Sequence, residues 1–254
     1  MLQEILQADL FAFFMVFARV GSAVMLIPGF GETFVPPRMR LMIALAISLV
    51  VAPVVSASIP PLPESPVALF LMLGGEILVG LFIGSVARIL FFALQTAGMI
   101  IAYQTGLANA LVNDPTAAVQ GALFSAFLGI VGVVVIFESG LHHLLLQAVV
   151  DSYGLFAPGH LPPLDDFSDM IARVVADSFD LAMRIAAPFV VVALVFYLGL
   201  GLLGRLMPQV QVFFIVLPVQ IALGLIVLAI TLAAGMMWFL GMYADEISST
   251  LVRG

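Results

Sequence analysis

The sequence predicts an all-α membrane protein of about six long apolar helices and one amphipathic helix. Three observations carry that expectation. Hydrophobic residues make up 63% of the 254 positions and charged residues only 9%, where a soluble domain carries about 25% charged residues. Mean hydropathy is +1.25. The apolar residues also fall in runs of ~20, the length a helix needs to cross a hydrocarbon core. These runs leave no stretch for a separate water-soluble domain.

Composition removes several chemistries. Cysteine is absent, which excludes disulfides, thiolate nucleophiles, iron–sulfur clusters and cysteine zinc sites. Net charge is −7, and all eight basic residues are arginine. A nucleic-acid groove needs clustered basic residues, and this charge balance without any lysine argues against one.

The elements follow in order. The N-terminus carries Glu4 and Asp9 and no base, unlike a cleavable signal with its positive leader, so the first apolar run reads as a retained helix. Segment one is Leu10–Pro28, closing on Gly29-Phe30-Gly31. The loop Glu32–Arg40 holds Pro36-Pro37, Arg38 and Arg40. Segment two is Leu41–Ile59, with Pro53 inside it, and Pro60–Glu64 is a stiff connection. Segment three stays apolar from Val67 to Leu94. As a helix it would be ~42 Å long, more than a hydrocarbon core, so it must tilt, bend or leave the lipid. Segment four is Gly121–Phe137, continuing through Glu138, His142 and His143 towards Val150.

Asp165–Arg184 reads as the amphipathic helix. Phe167, Met170, Ile171, Val174, Val175, Phe179 and Ala182 form its apolar face, opposite Asp166, Asp169, Arg173, Asp177, Asp180 and Arg184. Segment five, Ile185–Leu203, contains Pro188; segment six, Val212–Trp238, contains Pro218; the tail Ala244–Gly254 is polar. Arginine placement puts loops 29–40 and 204–211 on the cytoplasmic side, with both termini outside.

Three charges interrupt apolar spans: Arg19, Glu76 and Arg88. Each costs ~2.5–3.5 kcal/mol at a span centre. Glu76, Gly80, Gly84 and Arg88 follow one another at four-residue steps, and the glycines on that ridge allow another helix to approach closely. Glu76 and Arg88 lie ~18 Å apart along the axis, too far to pair with each other. Arg19 with Glu76 is the expected intrachain pair. Two readings stand: a polar assembly surface or conduit wall, or an ion pair that fixes helix register.

The stretch Gln104–Gly121 is rich in small and amide residues, and Asp114-Pro115 breaks any helix there. Irregular backbone at membrane depth requires burial in protein or a water-filled cavity, so this stretch reads as a re-entrant loop or gate, or else as an exposed loop. Glu138, His142 and Gln147 share a helix face, but a zinc site would need a further His or Cys nearby, and they read as interfacial polar groups. The sequence lacks a G-x-S-x-G elbow, a P-loop, a nucleotide fingerprint and an H-E-x-x-H pair. It therefore offers no catalytic residues and no cofactor or metal ligands.

The run Gly204-Arg205-Leu206-Met207-Pro208-Gln209-Val210-Gln211-Val212-Phe213 resembles the signature of the FliR family of flagellar export-gate proteins, which has injectisome counterparts. Arg19 at mid-span, Pro28–Gly31, Pro36–Arg40, Gly74–Glu76 with Gly80, and Gly106 with Asn113–Pro115 match in order. The resemblance covers essentially the whole chain.

It implies a non-enzymatic structural subunit of a hairpin-built export channel in the bacterial inner membrane, at the flagellar basal body and projecting towards the periplasm. The implied partners are FliP-like and FliQ-like subunits, an FlhB-like subunit, membrane lipid and transiently unfolded export substrates. It implies a FliP-like part over 1–183 and a FliQ-like hairpin with a polar tail over 184–254. Arg205, Pro208, Gln209 and Gln211 would then form the hairpin's cytoplasmic tip. The plug loop would comprise Gly106, Leu107, Ala108, Asn109, Ala110, Leu111, Asn113, Asp114 and Pro115. Glu76 and Arg88, taken as unpaired within the chain, would be satisfied by sister subunits. The alternative is a polytopic small-solute transporter or channel, but no inverted internal symmetry supports it.

Overall fold

The computed structural model describes residues 2–106, 118–162, 164–206 and 212–249. Among them are seven α-helices and no strand: α1 Leu2–Leu26, α2 Pro37–Val55, α3 Pro66–Gln104, α4 Ala118–Glu138, α5 Leu141–Leu155, α6 Leu164–Leu206 and α7 Val212–Ile247. A 3-10 turn, Ser56–Ser58, closes α2. By length and apolarity, five described helices could cross a membrane, or six if α4 and α5 count as one bent span.

Local chemistry sets the boundaries. Pro37 opens α2 at a position where its missing N–H costs nothing. Gly140 takes a left-handed φ of +76°, and α5 leaves α4 at 74°. Segment four is therefore broken where the sequence reading ran it on. Asp165 and Asp166 occupy the first turn of α6 and Arg205 the last, both matching the helix dipole. The amphipathic stretch and segment five, expected as separate elements, are one 43-residue helix. The charges on one face of α6 leave its backbone hydrogen bonding untouched. Phe179, expected on the apolar face, is 59% exposed, while Ser178 and Leu181 beside it are buried.

The chain forms two compact units. The first comprises Met1–Leu90, Ile136–Val175 and Tyr243–Gly254. Within it α1 packs on α2, and α1 runs parallel to the N-terminal part of α3. A methyl group added to Gly80 would overlap Ser22 Oγ and the Arg19 carbonyl, and one added to Gly84 would press on Leu26 and Ala23. Moving four residues along α3 thus moves about four along α1 in the same sense. Both helices bury apolar stripes, with Met15, Val16, Val20 and Ile27 on one and Val79, Ile83, Val86 and Leu90 on the other. Phe82 stacks on Phe167 at 3.8 Å between ring centroids, with Phe156 edge-on to Phe167 at 5.2 Å.

The second unit comprises Phe91–Val135 and Ala176–Met242. There α4 runs antiparallel to the C-terminal part of α3. Gly98 lies against the Ser125 backbone and Gly132 against Leu94, and Ser125 Oγ donates to the Gln95 carbonyl at 2.8 Å. The second part of α6 and α7 form an antiparallel hairpin, with Ile185 beside Gly235 and Tyr197 bonded to Gln220.

Gly80 and Gly74 give a direct contrast, because nothing lies within contact of a methyl placed at Gly74. Gly80→Ala is expected to destabilise the purified protein by about 1–3 kcal/mol through overpacking. Gly74→Ala should leave it unchanged or slightly stabilised. Thermal unfolding of both variants in mild detergent measures the difference, and equal melting points would refute the close α1–α3 approach.

Candidate functional site

A fully buried polar cluster is built on three elements. Arg19 on α1 and Glu76 on α3 are 0% and 1% exposed. Arg19 Nε donates to Glu76 Oε2 at 2.8 Å, and Nη2 donates to Oε1 at 3.2 Å. This is the two-pronged geometry that a guanidinium fork offers a carboxylate. Two further donors of the fork are used: Nη1 reaches Ser152 Oγ at 3.1 Å, and Nη2 reaches the Phe156 carbonyl at 3.1 Å. The cation lies 4.0 Å from the centre of the Tyr153 ring. Glu76 Oε1 accepts the Gly159 N–H at 3.1 Å, and Gly159 presents that amide from a left-handed φ of +80°.

The expected Arg19–Glu76 pair is thus present, and Gly80 and Gly84 lie beside it on the same contact between α1 and α3. Sequence reasoning missed Ser152, Tyr153, Phe156 and Gly159. A signal existed in Asp151-Ser152-Tyr153, three polar residues interrupting an apolar helix. The two backbone partners carry no side-chain signal.

The expectation that Glu76 and Arg88 lack partners within the chain is corrected here. Arg88 Nη1 lies 2.5 Å from Glu32 Oε1. This second pair is only partly withdrawn from solvent, the side chains being 20% and 13% exposed. Arg40 binds the same loop, donating to the Glu32 and Val35 carbonyls at 2.8 and 3.0 Å. Two arginines from two helices therefore fix the Glu32 turn. The physical reason is reach: a loop residue meets α3 beyond the end of α1, a neighbour that helical periodicity cannot supply.

The other expected residues lie apart from this cluster. Gly106 follows the end of α3 with a left-handed φ of +73°; Leu107, Ala108, Asn109, Ala110, Leu111, Asn113, Asp114 and Pro115 lie outside the described residues. Arg205 is exposed in the last turn of α6, while Pro208, Gln209 and Gln211 also lie outside them. Of the polar set near the α4–α5 bend, His142 stacks on Phe137 at 4.7 Å, and its ring lies tilted by 39° to that of His143 at 4.0 Å. No group of three or more possible metal ligands gathers among the described residues.

A hydrogen-bonded buried pair loses most when it is broken on one side only. Glu76→Ala or Arg19→Met alone is expected to cost about 3–5 kcal/mol, and the double substitution Arg19→Met with Glu76→Leu to cost less than either. Yield and melting temperature of the purified proteins test this. A double variant as damaged as the sum of the singles would refute the coupling.

The model of the family of bacterial export proteins, family 1, matches residues 10–245. The flagellar biosynthetic protein FliR of Caulobacter vibrioides is 40% identical over 225 residues, covering 88% of this chain and 90% of its own length. That of Bacillus subtilis is 31% identical over 229 residues, covering 89% and 88%. The Yop proteins translocation protein T of Yersinia pestis is 27% identical over 233 residues, covering 91% and 89%. A match of this extent, carried by a helical chain with buried charges at its parallel helix contact, makes the protein a member of the bacterial export protein family 1, the family of the flagellar FliR proteins.

Proposed function

We propose that the chain is a non-enzymatic structural subunit of the flagellar type III protein export gate. In this reading it forms the channel with FliP-like and FliQ-like subunits beside an FlhB-like one. One observation carries the proposal. In the first unit, Phe82 of α3 stacks on Phe167 of α6, and Asp165, Asp166, Asp169 and Arg173 stand exposed around that same turn. Carboxylates cannot rest in hydrocarbon. The exposed Ile77, Leu78 and Leu81 of α3 are within a turn or two of Phe82, at a level that lipid does not serve. Apolar surface at such a level is covered by protein.

Helix length supports the same reading. The 39, 43 and 36 residues of α3, α6 and α7 correspond to ~58, ~64 and ~54 Å, against a ~30 Å hydrocarbon core. Helices so long, apolar and exposed suit an assembly that stands partly clear of the bilayer on the periplasmic side of the inner membrane. The relatives named for flagellar biosynthesis favour the flagellar basal body over an injectisome.

Residues 1–183 serve as the FliP-like part in this proposal, and 184–254 as the FliQ-like hairpin with its tip at Arg205–Gln211 on the cytoplasmic side. The antiparallel pairing of α6 with α7 supports that division. Gly106–Gln120 is the plug that closes the channel to small ions between export events.

Co-purification in mild detergent tests the partnership: FliP-like and FliQ-like proteins should come with this chain. A lone, fully functional species would overturn the proposal. Deleting residues 107–117 should raise the ion conductance of membranes holding the assembled gate at least several-fold, and unchanged conductance would count against the plug.

A further inference from the structure

The first unit carries an open apolar groove at the end of α2 opposite Arg38 and Arg40. Its walls are Leu10, Phe11 and Phe14 of α1, Leu62 of the connection after α2, and Leu69 and Leu73 of α3. Its volume is about 400 Å³, the size of a hollow that takes a ligand or several side chains. Phe11 is buried, whereas Leu10, Phe14 and Leu62 are each more than half exposed. Apolar side chains gathered round an open hollow form a surface that marks an interaction site.

The shape of the groove is held from behind. Pro60, Pro61 and Pro63 surround Leu62, and each proline ring fixes its own φ. Gly159 lies against Pro60 and Met72, where an added Cβ would sit 2.8 Å from each side chain. Glu76 Oε1 in turn accepts the Gly159 N–H. The buried Arg19–Glu76 pair thus reaches, through Gly159, the connection that forms one wall. A groove fixed before binding loses little conformational freedom when it is filled.

Charge selects the occupant. Asp9 precedes Leu10, Glu64 follows Leu62 by two residues, and both are exposed. Neither carboxylate is paired with a base among the described residues. The chain has no arginine or lysine before Arg19 or between Leu41 and Ala87, and Arg19 is occupied by Glu76. The rim is therefore acidic, with no free cation supplied by the elements that build it. Such a rim repels anionic lipid headgroups and attracts a protein segment whose apolar side chains stand next to an arginine or lysine.

We propose that this groove docks another subunit of the export gate. The docked segment places large apolar side chains in the hollow and an arginine or lysine against Asp9 or Glu64. The proposal rests on the export-gate reading above and adds to it a surface and the chemistry of the partner that fits it.

The test uses the assembled complex, purified through a tag on this chain. A photo-crosslinking side chain at Leu62 should join a peptide of another gate subunit, with an arginine or lysine within about four residues of the joined position. Crosslinks to lipid alone, or none at all, would overturn the proposal. Reversing the rim with Asp9→Arg and Glu64→Arg should lower recovery of the other subunits about tenfold, because like charges then meet. Asp9→Glu with Glu64→Asp should leave recovery unchanged. Recovery of the reversed form within about twofold of the parent would overturn the proposal. The reversed chain by itself should melt within about 2 °C of the parent, since both positions are exposed. A larger drop assigns the carboxylates to the fold and overturns their part in docking. If the parent brings down no other gate subunit, the export-gate reading fails and this proposal fails with it. Failure of the crosslink or of the reversal alone leaves that reading standing.

Discussion

Taking an arginine and a glutamate out of water is tolerable only if they meet each other and every remaining donor and acceptor finds a partner. In this chain that requirement falls on Arg19 and Glu76, and much of the first unit follows from it. Joining the two side chains fixes the relative height of α1 and α3. With that height fixed, Gly80 and Gly84 meet α1 one and two turns further on, and Glu32 comes within reach of Arg88. Because α1 and α3 run in the same direction, the chain must travel back between them, and α2 is that return. The turn after α5 is held in turn, since it supplies the Phe156 carbonyl and the Gly159 amide.

The long helices α1, α2, α3, α4, α6 and α7 are exposed on faces that water would not favour. A protein of this kind meets three surroundings along its length: lipid, water and other subunits. In the proposed reading, the carboxylates of α6 stand beyond the lipid, and the exposed leucines near Phe82 are covered by other subunits. Membership of an export-apparatus family agrees with a molecule whose surface is completed by its neighbours, although its buried charges are satisfied internally.

How much of this could be read in advance depended on the range of the interaction. The long apolar helices were legible because periodicity and length are local properties. The pairing of Arg19 with Glu76 was legible because each charge stood alone in an apolar run, which leaves few candidates. Glu32 was missed as the partner of Arg88 because it lies in a loop, where position is not set by any repeat. Ser152 gave only a weak sign, and the Phe156 carbonyl and Gly159 amide gave none, since backbone groups are the same in every residue. The division of the amphipathic stretch from segment five failed for another reason. A change in polarity along a helix alters what it packs against, not whether its backbone continues. The break at Gly140 required a left-handed residue, and glycine alone does not announce one in a chain so rich in it.

The order in which this network is made has a cost during synthesis. Arg19 leaves the ribosome well before its carboxylate, and the partners after α5 follow later still, at sequence separations of 57 and up to 137 residues. At ~5–20 residues per second, the guanidinium waits between several seconds and half a minute for its full set of bonds. Through that interval the unpaired guanidinium makes the first helix costlier to hold in lipid than it is in the finished protein. The bonds that secure α1 at the end are thus absent when it is first made.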